Sequence, residues 1–485
     1  MKIQQMLYIL SLIFFSYLYS YPFFDMDRSI MTIFISYLIF IILFFILRKE
    51  DVSNLDGQMV KHSSIFLLGF IIVHFQFYLD FVLGFLSKSD FRIWIEHKVV
   101  LKSFILSICG LLSFLIGYEI VKTNKSAKHI EDIKENFSTS FLSYFSLIFL
   151  LAFYATVDPR YLLGFYGQVE LSPEANYAQF GFQVVTFAVL IQNVRNAFGK
   201  ENTNTITFKK YIFSTQGIFI SSIILIYLLS VLLSGDRGPL ISMSLCYLAG
   251  YLFLTKFKFK KPLFFGGILL GAFLVTMLGQ VRLMDKNISF VERLIMAISG
   301  EGVVSPVIGE SRSILPQTKE LATSVRTLHL ATSYVPENHN FMYGRFQVQQ
   351  ILGIIPFGTE FKNLLFDDLS YQYTGSGQFV TWVEQGDRRF YGLGTTCIAD
   401  FYLDFGLFGV IFGMFFFGIM IRKSELAIYE NRLPSISLHV FSFVYLAFSL
   451  YISRSTVLFN LKLCAFIIIV MILNKYIINR QNRFI

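Results

Sequence analysis

Asp400 and Asp404 lie four residues apart in an otherwise apolar run, Gly394-Thr395-Thr396-Cys397-Ile398-Ala399-Asp400-Phe401-Tyr402-Leu403-Asp404-Phe405-Gly406. On a helix this spacing puts both carboxylates on one face. Two roles fit: a general base in a dry site, or counter-ions for nearby arginines. Two turns carry such arginines. In Gly235-Asp236-Arg237-Gly238-Pro239, Gly allows a tight turn and Pro suits a helix start. Helix N–H groups and the Arg237 guanidinium then meet at one place, an arrangement suited to phosphate. The competing reading is that Asp236 and Arg237 neutralise one another. Arg454-Ser455 is expected to repeat the arrangement at a second helix start, so that two arginines grip a diphosphate; alone, Arg454 is an interfacial anchor. A long polar stretch adds Arg282, Arg293, Arg312, Arg326, Arg345, Arg388 and Arg389, with His329 and His339 as further candidate bases. Tyr334, Phe341, Tyr343, Phe346, Tyr371, Tyr373, Trp382 and Tyr391 are interleaved with them. Aromatic faces stack on sugar rings, and arginines bond hydroxyls and phosphates.

The elements that must position these groups are membrane helices. The chain of 485 residues is 55% hydrophobic and 15% charged, a balance that soluble domains rarely show. Apolar runs of spanning length fall at 6–23, 30–47, 64–86, 98–121, 140–157, 176–193, 212–234, 239–255, 263–281, 394–420, 436–453 and 456–477. Each is near the ~20 residues that cross the hydrocarbon, and none alternates with the period of a barrel strand. The fold class is therefore all-α and polytopic, with about twelve spans. Residues 1–281 hold nine helices, 282–393 form one large external loop, and 394–485 hold the last three. Lysine and arginine crowd alternate connections, 22 against 7 on the short turns between. This asymmetry predicts both ends in the cytoplasm and the loop outside. The net charge of +9 is explained by the same rule and is no sign of nucleic acid. Lys256 to Lys261 (KFKFKK) reads as an anchor beside anionic lipid.

Other features are read structurally. The first apolar run is too long for a signal peptide, and Leu18-Tyr19-Ser20 is a poor cleavage site, so it stays as a helix. Cys109, Cys246, Cys397 and Cys464 show neither CxxC nor metal spacing, so neither a disulfide nor a metal is expected. Asp80 and Lys102 are at similar depth, and an ion pair is expected between them. His74 is expected to be a hydrogen-bonded packing residue. His439 lies at the wrong end of its span for external chemistry. Lys462 is expected to pair or snorkel. Phe290 to Ile298 (FVERLIMAI) is amphipathic and is expected on the membrane surface.

Taken together, these residues resemble bacterial O-antigen polymerases of the Wzy type. The resemblance covers the topology of the whole chain and several short stretches. Ser234-Gly235-Asp236-Arg237-Gly238-Pro239-Leu240-Ile241 is similar to the family's Arg-Gly turn, and Ser299 to Ile308 (SGEGVVSPVI) to a stretch early in its loop. Tyr343-Gly344-Arg345 with Ile354-Ile355-Pro356 resembles the middle of the loop. Gly394 to Gly409 resembles the entry to the next span, where the family often has Glu and this chain has the shorter Asp400.

The resemblance implies a membrane glycosyltransferase that needs no metal or other cofactor. It would move a growing glycan from undecaprenyl diphosphate to the non-reducing end of another lipid-linked repeat unit. The product would be O-antigen, capsule or exopolysaccharide, made at the outer face of the bacterial inner membrane. Implied partners are the lipid-linked glycan donor and acceptor, membrane lipid, a chain-length regulator and a flippase. On this reading Arg237 and Arg454 hold diphosphate. Arg282, Arg326, Arg345 and Asp404 contact substrate, and Asp400, His329 or His339 is the base. An O-antigen ligase is the nearest alternative, and a flippase or transporter the next. A transporter would favour charges near the midplane and paired broken helices, whereas here the polar signals crowd one boundary.

Overall fold

The computed structural model describes the chain apart from residues 1–2, 22–25, 51, 53–54, 57, 91–92, 123–137, 164–168, 170, 199–205, 259–265, 268–270, 272–276, 278–280, 282–283, 286–287, 300–312, 356–357, 367, 369, 430–432 and 482–485. The described residues are helical, with no strand among them. Counting helices of eight residues or more, α1 to α6 are Ile3–Ser20, Arg28–Leu47, His62–Val82, His97–Ile120, Ser140–Thr156 and Pro173–Ala197. α7 runs Phe208–Ser234 with a π-helical stretch over Tyr211–Gly217, and α8 is Arg237–Thr255. Then come α9 (Phe290–Ser299), α10 (Val325–Tyr334), α11 (Arg345–Leu352), α12 (Gly358–Leu365) and α13 (Ser376–Gln385). α14 (Cys397–Tyr429), α15 (Ile436–Ile452) and α16 (Leu461–Gln481) complete the set.

Among the described residues, eight helices are long and apolar enough to cross a bilayer, and α5 and α15 are shorter apolar helices. With the more polar α6 they coincide with eleven of the twelve expected spans. The twelfth, 263–281, lies mostly outside the described residues. The outward faces are apolar: α2 exposes Ile33, Ile39, Phe40 and Leu43, and α7 exposes Leu225, Ile226 and Leu229. Such surfaces suit hydrocarbon, where a helix satisfies its own backbone. Among the described helices, α4 and α14 pack along the longest shared surface. A Cβ on Gly117 would overlap the backbone of Phe415, and one on Gly418 that of Phe114. Small residues at a crossing let two backbones touch and gain dispersion contact.

Side-chain contacts fix the two faces of the bundle. Gln5 donates to the carbonyl of Glu119 at the end of α4, and Asn474 to that of Ser138 before α5. Both chain ends therefore share one face, the terminal face. The opposite face carries α10 to α13, the loop face. All four cysteines are buried and free.

Several expectations for polar groups meet their outcome here. The ion pair expected between Asp80 and Lys102 is replaced by a loop anchor. Asp80 accepts from Ser313 Oγ at 2.6 Å and from the Ile314 N–H at 2.8 Å, while Lys102 Nζ lies over the Tyr19 ring. A returning loop offers fixed donors, which suit a buried carboxylate as well as a cation does. His74 bonds the Phe70 carbonyl and stacks on that ring. Arg195 contacts His439 on the terminal face, and Lys462 lies over the Phe180 ring. α9 exposes Ile295 and Ile298 while Ala297 packs with Met277, Val281 and Met284.

Candidate functional site at the loop face

α14 is broken about two turns after it starts. Phe405 (φ −141°, ψ 19°) and Gly406 (φ 60°, ψ −144°) leave helical geometry. Gly406 has a positive φ that other residues adopt only with strain, and Phe341 packs where a Cβ would stand. The break frees two carbonyls, and the loop takes both. The Met342 N–H donates to the Leu403 carbonyl and the Tyr343 N–H to that of Asp404, each at 2.9 Å. The sequence pattern reads 394–420 as one continuous span. A single glycine is tolerated in a helix, so only the docked loop reveals the break.

This docking positions both aspartates. Asp404 accepts from the backbone N–H groups of Phe346 (3.2 Å) and Gln347 (3.0 Å), in the first turn of α11. It is the anchor that holds α11 on the membrane helix. Asp400 lies in the first turn of α14, which Thr396 caps through the Ala399 N–H. Its carboxylate accepts from Gln347 Nε2 at 2.7 Å, Gln350 Nε2 at 3.3 Å and Ser376 Oγ at 2.5 Å. Both carboxylates are fully buried. Every one of these donors is neutral, so no cation competes for the lone pairs of Asp400. The i,i+4 spacing had placed the aspartates together, and both indeed contact Gln347. The partners Gln347, Gln350 and Ser376 carried no sequence signal of their own.

The arginine turns are differently placed. α7 ends at Gly235, and α8 begins at Arg237 rather than at Pro239. Asp236 caps α8 by accepting from the Gly238 N–H, and Tyr161 donates to the same carboxylate at 2.7 Å. Arg454 does not start a helix. It lies on the turn between α15 and α16, with Nη1 at 3.7 Å from Glu320 Oε1. The counter-ion reading of the aspartates is therefore not realised for Arg454. α8 packs against α15. Because they run in opposite directions, Arg237 and Arg454 sit at the same ends of two touching helices. Thr456 on the same turn donates to Gln350, and the Ser453 carbonyl accepts from the Cys397 N–H. The turn thus adjoins the Asp400 cluster.

The remaining candidates are dispersed. His329 is fully buried, with Nε2 at 2.8 Å from the Tyr78 hydroxyl and Nδ1 near the Ile93 carbonyl. Burial pushes its imidazole down to about 3. His339 is half-buried and bonds the Asn340 carbonyl and the Tyr373 hydroxyl. Arg326 pairs with Glu384 at 2.8 Å. Arg345 donates to the Asp368 carbonyl and lies against the Phe366 and Tyr373 rings. Arg282, Arg312 and most of the 299–308 stretch lie outside the described residues. Of the interleaved aromatics, Tyr334 and Trp382 pack edge to face, and both also meet Phe379, while Tyr343 and Tyr391 are exposed.

A multi-pass helical bundle with a large segment docked on a broken helix defines an integral membrane protein. The family model for the O-antigen polysaccharide polymerase Wzy matches residues 5–482, and the chain belongs to that family. It is thus a glycosyltransferase-type polymerase by family. No curated protein and no solved structure matches the chain significantly.

Proposed function

We propose that this protein joins lipid-linked oligosaccharide repeat units at the outer face of the bacterial inner membrane, with Asp400 as the general base. The observation that carries this reading is the Asp400 carboxylate, held only by neutral donors where the loop meets the membrane helix. An acceptor hydroxyl gives its proton to Asp400 as its oxygen bonds the anomeric carbon of the donor. The bond from that carbon to the diphosphate oxygen breaks, and its electron pair leaves with undecaprenyl diphosphate. Arg237 and Arg454 hold that diphosphate and stabilise its developing charge, a task that requires no metal. The hydroxyl of Ser376, now on Asp400, marks where the acceptor hydroxyl sits. His329 is assigned to packing, because both ring nitrogens face groups of the protein itself. His339 is the second candidate base, and Arg326 and Arg345 orient the glycan. The chain-length regulator and flippase act as partners, and both termini are cytoplasmic.

The test is the glycan ladder of a strain lacking this gene, complemented with wild type, Arg237→Ala or Asp400→Asn. Both variants are expected to reach the membrane folded and to leave single repeat units on the lipid core. A normal ladder from Asp400→Asn ends its assignment as base. Loss of every glycan-bearing band, with long lipid-linked polymer accumulating, identifies a ligase instead.

A further inference from the structure

α13 starts at the Asp400 cluster and ends far from it. Its first residue, Ser376, bonds the Asp400 carboxylate, and ten residues of helix carry the chain about 15 Å to Gln385. The chain then turns through Gly386 to Gly392 and comes back, with the Leu393 N–H donating to Thr381 Oγ1 and Gly394 lying against Gly377. All seven residues of the turn are exposed, the longest such run among the described residues. Phe390 is 85% exposed and Tyr391 62%, and among the described residues neither ring packs on another. The turn is nevertheless braced. Gln385 Oε1 accepts from the Phe390 N–H at 2.8 Å, and Gln385 Nε2 donates to the Tyr391 carbonyl at 2.8 Å. The Arg389 guanidinium lies 3.8 Å from the centre of the Tyr371 ring. Asp387, Arg388 and Arg389 put three charges among seven residues, which suits water and not hydrocarbon. Two aromatic rings held out into water add nothing to the packing of the fold, and such exposed apolar surface marks a place where something binds.

We propose that this turn, through Phe390, Tyr391 and the Arg389–Tyr371 pair, is a platform that grips the growing polysaccharide at sugars beyond those at Asp400. The inference rests on the polymerase reading and adds a second, distal contact with the donor glycan. The chemistry of the turn selects a sugar chain. The apolar C–H face of a pyranose packs on an aromatic ring, and arginine N–H groups bond its hydroxyls. A stable protein partner would need about 20–30 residues on this side of the interface, and the turn offers seven. A chain one sugar wide needs no more. The distance along α13 sets the consequence. A donor glycan whose reducing-end sugar is at Asp400 reaches the turn only after it has extended for the length of that helix. Short donors therefore react without the platform. Long donors are held at two points, which keeps them at a high effective concentration for the next transfer.

The experiment uses the full chain, in lipid nanodiscs for binding and in the deletion strain for chain length. The probe is the long polysaccharide of the wild-type strain, freed from its lipid by mild acid. Phe390→Ser combined with Tyr391→Ser should weaken binding of this probe about tenfold. In the deletion strain the same double variant should keep the bands of two and three repeat units and lose the long ones. Its melting temperature should match wild type, because the two rings are exposed and pack on no other ring. Phe390→Tyr combined with Tyr391→Phe keeps both rings and should restore affinity and chain length together. No binding to wild type, or unchanged affinity in the serine variant, overturns the platform. Shortened chains at unchanged affinity also overturn it and make the rings a contact for a protein partner. A lower melting temperature in the serine variant makes them part of the fold. If the wild-type gene does not restore the ladder, the polymerase reading fails, while the affinity difference between wild type and the serine variant continues to report the platform.

Discussion

Carboxylates are buried at both faces of this bundle, and the company they keep differs. On the terminal face, in the connection between α2 and α3, Glu50 accepts from Lys61 Nζ at 2.7 Å, Arg48 Nη2 at 2.9 Å and Arg422 Nη1 at 2.8 Å. Arg422 also donates to the Tyr118 hydroxyl, which donates to Glu425, and Glu425 accepts from the Ser63 N–H. Arg48 reaches Glu119 as well. Helices α2, α3, α4 and α14 are tied together by charges that answer one another. On the loop face, Asp400 and Asp404 meet only neutral donors. Opposite charges that pair across several helices brace a fold, whereas a buried carboxylate held by neutral donors alone keeps its charge uncompensated. The difference therefore separates structure from chemistry within one molecule.

The largest expected effect tests the loop face. Asp400→Asn should lower polymer formation about 10²- to 10⁴-fold, the usual contribution of a general base. Gln347 can turn its amide over and present Oε1 to the new N–H group, so the melting temperature should stay close to wild type. A collapse in thermal stability with full activity in the surviving protein would reverse the contrast and make Asp400 a structural pin.

Next comes the terminal face. Glu50→Gln leaves Lys61, Arg48 and Arg422 without their common counter-charge, and breaking a buried pair costs about 3–5 kcal/mol. Thermal denaturation should show that loss, with polymer per folded molecule unchanged. Its pH dependence follows from the same site. Burial pushes the Glu50 carboxyl up, but Lys61, Arg48 and Arg422 outweigh it and hold it at about 2, below its usual 4.5. The depressed value means that the stabilisation is complete above pH 4.5 and fades as the pH falls toward 2. The gap between wild type and Glu50→Gln should therefore be constant at neutral pH and close only in acid.

A smaller effect is expected where the loop grips the broken helix. Gly406→Ala forces a side chain into positive φ and against Phe341, at about 1–3 kcal/mol. Because Asp404, Met342 and Tyr343 dock through this break, limited proteolysis should cut within 313–396 sooner than in wild type. Unchanged cleavage there, with destabilisation elsewhere, would detach the break from loop docking.

What the sequence made legible follows the same division. Eleven of the twelve span positions, the i,i+4 aspartates and the amphipathic 290–298 stretch each have a local periodic signal and are found as helix, while 263–281 lies mostly outside the described residues. The partners of Asp400 come from about 24 to 53 residues away in the chain and have none. Glutamine and serine in a loop look like any solvated surface until the loop folds back. The Asp80–Lys102 expectation erred for a related reason. Matching depth is visible in a hydropathy pattern, but the Ser313–Ile314 anchor exists only after docking. His329 illustrates the limit for titratable residues, since its type suggested acid–base work and its position places it between Tyr78 and Trp94.

The smallest expected effect sharpens the contrast most, because it concerns an ion pair on the loop face. Arg454 and Glu320 have side chains 36% and 52% exposed and approach to 3.7 Å. Exposed pairs of this kind contribute at most about 1 kcal/mol, so Glu320→Gln should barely move the melting temperature. Its effect on glycan length discriminates further. If Arg454 serves the diphosphate, Glu320 is a placeholder that the substrate displaces. Removing it then leaves chain length normal, whereas Arg454→Gln shortens it at unchanged stability. Equal shortening by both variants would mean that the pair matters as a pair, holding the segment that Asp80 and Glu320 anchor. Arg454 would then join Arg422 among the residues that build the fold.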